Sequence, residues 1–455
     1  MKNPPAPFRR VRHLTLAVAT LALGACALSS PKPLNLAATG KTSLAELRHE
    51  GALPERLTVD DVVRLVLDNN PDLVAVRAQR GIAQAQLRTA SILPNPVLGY
   101  SNARLLSGPG EMATIAASLT MDLKSLITFL PKRRAAKAAA QSVDATVLWQ
   151  EWQTISKARL AAIDLIEGDK QLALLRSNAA LWKDRLERNQ QALKQGDATL
   201  ATLAPDLSAG SDAQKTLDDF ERAQQTRRRD LDLLLGLDPS VTLPLADDAT
   251  LPAIDVDAVR AQLPDLANRR PDLIALQLGY HAQEEKVWGA VLAQFPLFSI
   301  GPSYGRDSSN VRTLGPQLTM DLPVFDRNQG NVASERATRE QLHAEFEARL
   351  IAAKSEIEAM LADQVLLQKQ LDGKRSMLAQ MAPMAERVQA AFRQRDIDER
   401  SYVDLIASRN AKQQEILALH LTMLEQQVAL ATLVGAGMPH AELPGTSNSS
   451  KQEHP

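Results

Sequence analysis

The sequence predicts a mainly α chain with a small β part, built as an internal tandem duplication around long coiled-coil helices. Three observations predict it. Two stretches, Lys132–Gln195 and Asn331–Gln394, keep a helical pattern from end to end. At 1.5 Å rise per residue each would be roughly 95 Å long. Between them and before them lie short segments of period-two alternation, the spacing of strands. Finally, the same residues recur in the same order about two hundred positions apart.

The long helices carry their own signature. From Leu172 the apolar positions run Leu172, Leu175, Ala179, Trp182, Leu186 and Leu193, with Asn189 the one polar visitor. The twin runs Leu350, Ala353, Ile357, Met360, Leu367, Leu371, Leu378, Met381, Ala385, Val388 and Phe392, broken by Gln364 and Lys374. Spacings of three and four are the heptad seam of a coiled coil. Helices of this length belong in a strut, a filament or a tube. Gly373 and Pro383 are bending points in the second, since one loosens the helix and the other removes a donor.

In chain order, residues 1–25 read as a leader, with Lys2, Arg9, Arg10 and Arg12 before the apolar run Leu14–Leu23. Its end, Leu23-Gly24-Ala25-Cys26, resembles the lipobox of bacterial lipoproteins, which implies lipidation at Cys26. Several acyl chains on that cysteine would hold the chain to a membrane where one would not. Residues 26–56, with Pro31, Pro33 and Pro54, read as an extended tether. A first repeat then spans 57–239. A helix starts near Thr58 or Asp60, breaks at Asn69-Asn70-Pro71-Asp72 and resumes. Strands follow at Val97–Arg104 and Ala113–Leu123, turning through Ser107-Gly108-Pro109-Gly110. Pro131 opens the long helix in a position proline tolerates. Gln195-Gly196-Asp197 ends it, and a return helix stops at Leu235-Gly236.

The second repeat, 240–439, copies this order, and 440–455 is a polar tail. Asn70-Pro71-Asp72-Leu73 answers Arg270-Pro271-Asp272-Leu273. Leu119-Thr120-Met121-Asp122-Leu123 recurs as Leu318-Thr319-Met320-Asp321-Leu322. Pro96 answers Pro296, Lys194-Gln195-Gly196-Asp197 answers Arg393-Gln394-Arg395-Asp396, and Leu235-Gly236 answers Val434-Gly435; every offset is 199 or 200. Strands are predicted at Leu297–Arg306 and Val311–Val324, weakened by Pro302, Pro316 and Pro323.

A net charge of −1 gives no electrostatic case for nucleic acid. One cysteine excludes an intrachain disulfide framework. There is no phosphate loop, nucleophile elbow or His-x-x-x-His pair, and the seven histidines are scattered, so no enzyme, cofactor or bound metal is expected. No segment after the leader reaches the roughly 18 consecutive apolar residues of a spanning helix. In Ala113–Leu123, however, Ile115, Leu119 and Met121 face one way and Thr114, Ser118, Thr120 and Asp122 the other. Four such strands cannot close a barrel, since the smallest membrane barrels have about eight. Open edges cannot sit in lipid either. If the strands enter a bilayer, two chains pool eight of them and three pool twelve.

The duplicated unit, its Asn-Pro-Asp-Leu turn and the run Leu322-Pro323-Val324-Phe325-Asp326-Arg327-Asn328-Gln329-Gly330-Asn331 resemble the TolC family of outer-membrane efflux proteins. That run is most similar to the cobalt-zinc-cadmium branch. The first repeat has Lys124–Arg134 of another sequence at the equivalent joint. The run itself reads as architecture: Asp326 and Asn328 cap a helix, and Gly330 lets the backbone turn. The resemblance implies a homotrimer with a twelve-stranded barrel in the outer membrane and a periplasmic α-barrel. It also implies a periplasmic adaptor protein and an inner-membrane pump of the resistance-nodulation-division class as partners, and export of metal cations or small toxic compounds.

The same resemblance assigns adaptor docking to the tips, Gln195, Gly196, Asp197, Gln394, Arg395 and Asp396, with Arg395 where the family has glycine. Threefold symmetry would turn Asp396, Asp398 and Asp404 into carboxylate rings at a constriction, against the plain reading of solvated helix-end charges. Asp122 and Asp321, on the polar faces of matched strands, have a similar claim on the barrel lumen. A coiled-coil envelope lipoprotein without channel activity is the rival reading; it leaves the strand pairs without a use.

Overall fold

In the computed structural model the described residues are 31–435 except 38, 105, 108, 109, 111 and 253. The leader, Cys26 and the tail after 439 lie outside them. The described residues 31–40 fall in one unit and 41–435 in another. Of the first, the described part is exposed chain with a turn in which the Ala37 N–H donates to Asn35 Oδ1 at 3.1 Å. The second holds everything that follows.

Its first half begins with α1 (Val59–Asn69) and α2 (Pro71–Ala90). Thr58 and Asp61 close a reciprocal capping box on α1. Asn70 caps α2 by accepting from the Leu73 N–H, with Pro71 in the first helical position. Strands β1 (Val97–Ala103) and β2 (Thr114–Asp122) lead through a short α3 (Leu123–Ile127) into α4 (Phe129–Gln195). The helix α5 (Leu200–Leu235) returns. In the second half the parts are α6 (Val256–Gln262), α7 (Leu266–Arg269), α8 (Pro271–Leu292), β3 (Leu297–Arg306), β4 (Arg312–Asp321), α9 (Gln329–Gln394) and α10 (Glu399–Val434), with two short helices in place of α1 and no counterpart of α3.

The long helices start two or three residues earlier than the pattern predicted and stop where it predicted. α9 continues through Gly373 and Pro383. The stops are alike in geometry. Gly196 lies at φ 85° and Arg395 at φ 64°, both left-handed. In each, the next N–H reaches back five residues: Asp197 to the Ala192 carbonyl and Asp396 to the Ala391 carbonyl, both at 2.9 Å. Glycine takes this conformation freely, whereas a side chain there costs about 1–2 kcal/mol. Arg395→Gly should therefore stabilise the second tip by about 1 kcal/mol, read as slower amide exchange over 391–402; faster exchange would contradict the account.

The expected seams are internal. Leu172, Leu175 and Ala179 bury against Leu217 of α5, with Phe220 packed beside them. Ile357 and Leu361 bury with Leu430 and Val434 of α10 and with Leu266 and Leu273. The largest core joins Val62 and Val66 of α1 to Ile163 and Leu165 of α4 and Leu231 and Leu235 of α5. Leu424 and Val428 of α10 reach the same core, so the two halves share it. The tether expected over 26–56 is packed from Lys41 onward. Lys41 and Leu57 pair in isolated bridges with Leu237 and Leu245, and Leu47 is buried in the core. Isolated apolar residues such as Leu47 carry no periodicity, so the packing is invisible in the sequence pattern.

Candidate functional site

The four strands form one antiparallel sheet in the order β1-β2-β3-β4. Residues opposite one another in a ladder share a face, so the register sorts every side chain. One face carries Leu98 and Tyr100 of β1, Ile115, Leu119 and Met121 of β2, Phe298, Ile300 and Tyr304 of β3, and Leu314, Leu318 and Met320 of β4. The other carries Gly99 and Ser101, then Thr114, Ser118 and Thr120, then Ser299, Gly301 and Ser303, then Thr313, Gly315, Gln317 and Thr319. The apolar face is bare: Leu98 is 74 % exposed, Leu314 79 % and Leu318 62 %. A soluble sheet hides such a face under helices.

The face is bounded. Tyr100, Ala117, Tyr304 and Leu314 make one row across all four strands. The next row towards the turns is Asn102, Ile115, Arg306 and Arg312. From the Phe298–Met320 pair to the Arg306–Arg312 pair is eight residues of strand. At about 3.4 Å per residue, and at the tilt near 40° usual in barrels, that length would correspond to ~21 Å, close to the ~25 Å apolar band of outer-membrane barrels.

Pro302 and Pro316 stand opposite each other inside the strands, and β4 stops at Asp321 before Pro323. The weakening shows instead between β2 and β3. The ladder passes from Ser118–Ser303 to Met121–Ile300 and skips the residues between. Pro302 has no N–H to give. Gly301 lies so close to the Leu119 carbonyl that no side chain fits there. Asp122 and Asp321 both end strands at the helix end of the sheet, opposite Ser299 and Leu297, so they are two registers apart rather than paired. Asp122 also caps α3, accepting from the Lys124 and Ser125 N–H groups at 3.0 and 3.3 Å. At the next joint, the turn expected at Gly330 occurs at Asn328, φ 60°, and Gly330 is already helical. The Asn328 side chain accepts no cap bond; its Nδ2 donates to the Ala290 carbonyl at 2.9 Å. The run Leu322–Asn331 thus fastens strand to helix.

At the other end of the long helices, the tip residues divide by role. Gln195, Gly196, Asp197, Gln394, Arg395 and Asp396 are exposed around the two matched turns. Asp398 caps α10, accepting from the Ser401 N–H at 3.1 Å, and these bonds hold its carboxyl below the usual range. Asp404 is engaged from two sides, by Arg185 at 3.2 Å and Arg400 at 3.7 Å. The structure therefore pairs Asp404 with Arg185 and Arg400, while Asp398 is engaged in the Ser401 cap.

The centre of this region is a residue absent from the sequence reading. Arg185 of α4 pairs with Asp206 of α5 at 2.6 Å, their side chains 5 % and 4 % exposed. It also lies over the Trp182 ring and reaches Asp404 of α10, so one guanidinium joins the first half to the second. Asn189 Nδ2 donates to the other oxygen of Asp206. Arg188 adds Glu399 at 3.2 Å; burial pushes that carboxyl up against the pull of Arg188. Phe392 and Tyr402 stack 4.5 Å apart across the second turn. The available signal was Asn189, the polar visitor to an apolar seam. Gln364 and Lys374, the other two breaks, also prove to be inter-helix ties: Gln364 Nε2 donates to the Met423 carbonyl at 3.1 Å, and Lys374 pairs with Glu415. Lys374 and Lys412 together hold Glu415 down at about 2.

Among the described residues no three His, Cys, Asp or Glu side chains are placed to hold a metal. One helix, α10, contains a stretch apolar enough by composition to cross a membrane, and only 17 % of that stretch is buried within the chain.

No protein-family model matches the chain. It is 24 % identical to the pyoverdine export outer membrane protein OpmQ of Pseudomonas putida, over 94 % of this chain and 97 % of that protein. It is 22 % identical to the cation efflux system protein CusC of Escherichia coli O157:H7, over 90 % and 94 %. Among solved structures, the CmeC outer membrane channel of Campylobacter jejuni superposes with a TM-score of 0.70 over 92 % of this chain and 96 % of that one, at 15 % identity, a likeness of fold. Bare apolar sheet and end-to-end likeness agree: along nearly its whole length the chain is similar to outer-membrane efflux proteins, and its fold is that of the TolC-like outer-membrane channels.

Proposed function

We propose that the chain is the outer-membrane duct of a tripartite efflux system. Three copies join β4 of one to β1 of the next in a twelve-stranded barrel, and α4, α5, α9 and α10 continue it as a periplasmic tube. The observation that carries this is the sheet. Its apolar face is exposed, its other face is small and polar, and β1 and β4 each have an unpaired edge. Unpaired backbone groups in lipid cost several kcal/mol each, so the edges need partners. Neighbouring copies would also cover the half-buried apolar residues of α10. The alternative, a coiled-coil spacer, gives that sheet no use.

On this reading the two repeats, 57–239 and 240–439, arose by duplication, and the offset of 199 or 200 between their motifs supports it. The tips Gln195–Asp197 and Gln394–Asp396 dock a periplasmic adaptor fed by an inner-membrane pump of the resistance-nodulation-division class. Asp396, Asp398 and Asp404 line the constriction, with Asp404 held by Arg185, and Asp122 and Asp321 face the lumen. The names of the relatives span pyoverdine and cations, which suits a passive duct that contacts its cargo weakly and leaves selection to the pump. Cargo is therefore metal cations or small toxic compounds.

The test is planar-bilayer conductance of the purified chain: steady channels are expected, and a membrane-bound chain that never conducts would overturn the reading. Cys26 anchors the chain through lipid. Cys26→Ser should abolish incorporation of labelled palmitate while assembly persists, because the strands supply their own membrane affinity; a mutant that still takes up label would remove the anchor.

A further inference from the structure

The apolar face of the sheet ends in cations. Two residues beyond the row of Tyr100 and Tyr304, about 7 Å further along the strands, the same face presents Arg306 and Arg312, directly opposite each other. Arg104 continues the alternation just past the end of β1. Arg306 spends Nη2 on the Ala113 carbonyl at 3.3 Å, and its buried Nε has no partner. The Arg104 and Arg312 side chains are exposed and make no hydrogen bond or ion pair among the described residues. The nearest described acid, Asp307, turns its Oδ1 to the Ser309 and Val311 N–H groups, both at 2.9 Å.

A guanidinium on the lipid side of a barrel strand is tolerated only at the edge of the hydrocarbon, and tyrosines mark that edge. The helices leave the opposite end of the sheet, at Leu123 and Gln329. If they are periplasmic, the arginine row stands at the headgroups of the outer leaflet. The planar fork of arginine fits two oxygens of one phosphate. We propose that Arg104, Arg306 and Arg312 bind the phosphate groups of an outer-leaflet lipid. This rests on the barrel reading above. In that ring Arg312 of each copy meets the β1 edge of the next, which brings Arg104 beside it and gathers three guanidinium groups at every seam.

The experiment is native mass spectrometry of the purified full-length chain after exchange into mixed micelles with equal parts phosphatidylcholine and phosphatidic acid, a phosphate monoester. The trimer should retain phosphatidic acid over phosphatidylcholine by about tenfold, the worth of one charge-assisted bidentate contact. Arg306→Gln with Arg312→Gln should erase the preference, and excess inorganic phosphate should leave the wild-type preference in place. A wild-type trimer without preference, a double variant that keeps it, or full displacement by inorganic phosphate would each overturn the proposal. The wild-type arms decide the matter even if the variant fails to assemble. A chain that forms no trimer and no channel fails the barrel reading instead, so the two failures are distinct.

Discussion

Arginine at Leu318 or at Leu119 should abolish membrane assembly, while arginine at Gln317 should leave assembly intact and change conductance. Leu318 pairs with Ile300, and Leu119 with Leu98, at the middle of the apolar face. Gln317 is one residue away on the other face, opposite Gly301 and next to Gly315, where there is room for a longer side chain. A cation facing lipid near the midplane costs about 2–4 kcal/mol per strand, and three copies bring roughly 6–12 kcal/mol to one ring. That exceeds much of the stability of an ordinary domain. Heat-modifiable migration of outer-membrane fractions reads assembly, and bilayer recording reads conductance. Equal tolerance of arginine on both faces would mean that the sheet does not meet lipid.

The second large effect lies at the tips. Arg185→Ala should destabilise the chain by about 3–5 kcal/mol, since it leaves the Asp206 carboxylate buried and unpaired. The loss should appear as fast amide exchange over 182–206 and over 399–410, because Arg185 holds α5 and α10 at once. Replacing both partners by leucine should restore most of the stability, as the penalty comes from the orphaned charge and not from the missing pair. Asp404→Ala should cost about 0–1 kcal/mol, because its side chain is 55 % exposed and water screens the pair. A large loss for Asp404→Ala with none for Arg185→Ala would contradict this ranking.

Much of the fold was legible because its punctuation is local. Gly196, Gly236 and Gly435 stop helices in the left-handed conformation their position demands, and Arg395 was placed by offset from Gly196. Thr58 and Asn70 cap where a short polar side chain precedes an apolar period. Strand faces followed from period two, and β3 fell on its predicted bounds. What the pattern hid is tertiary. Arg185 and Asp206 look like ordinary helix charges, since nothing in their own neighbourhoods says that α5 crosses there. The docking of Lys41–Leu57 rests on single apolar residues among prolines. The gap in the ladder at Leu119–Thr120 depends on where Gly301 and Pro302 fall in a register that joins segments almost two hundred residues apart.

The central claim is that β4 of one copy closes against β1 of the next. Cysteines at Ser101 and Gly315, and at neighbouring positions on the same face, would test it in a Cys26→Ser background under oxidising conditions in outer-membrane vesicles. The account predicts a covalent ladder of one, two and three chains that goes no further, because a ring of three is closed. Absence of cross-links at every register in chains that have entered the membrane, or a ladder that continues past three, would contradict it.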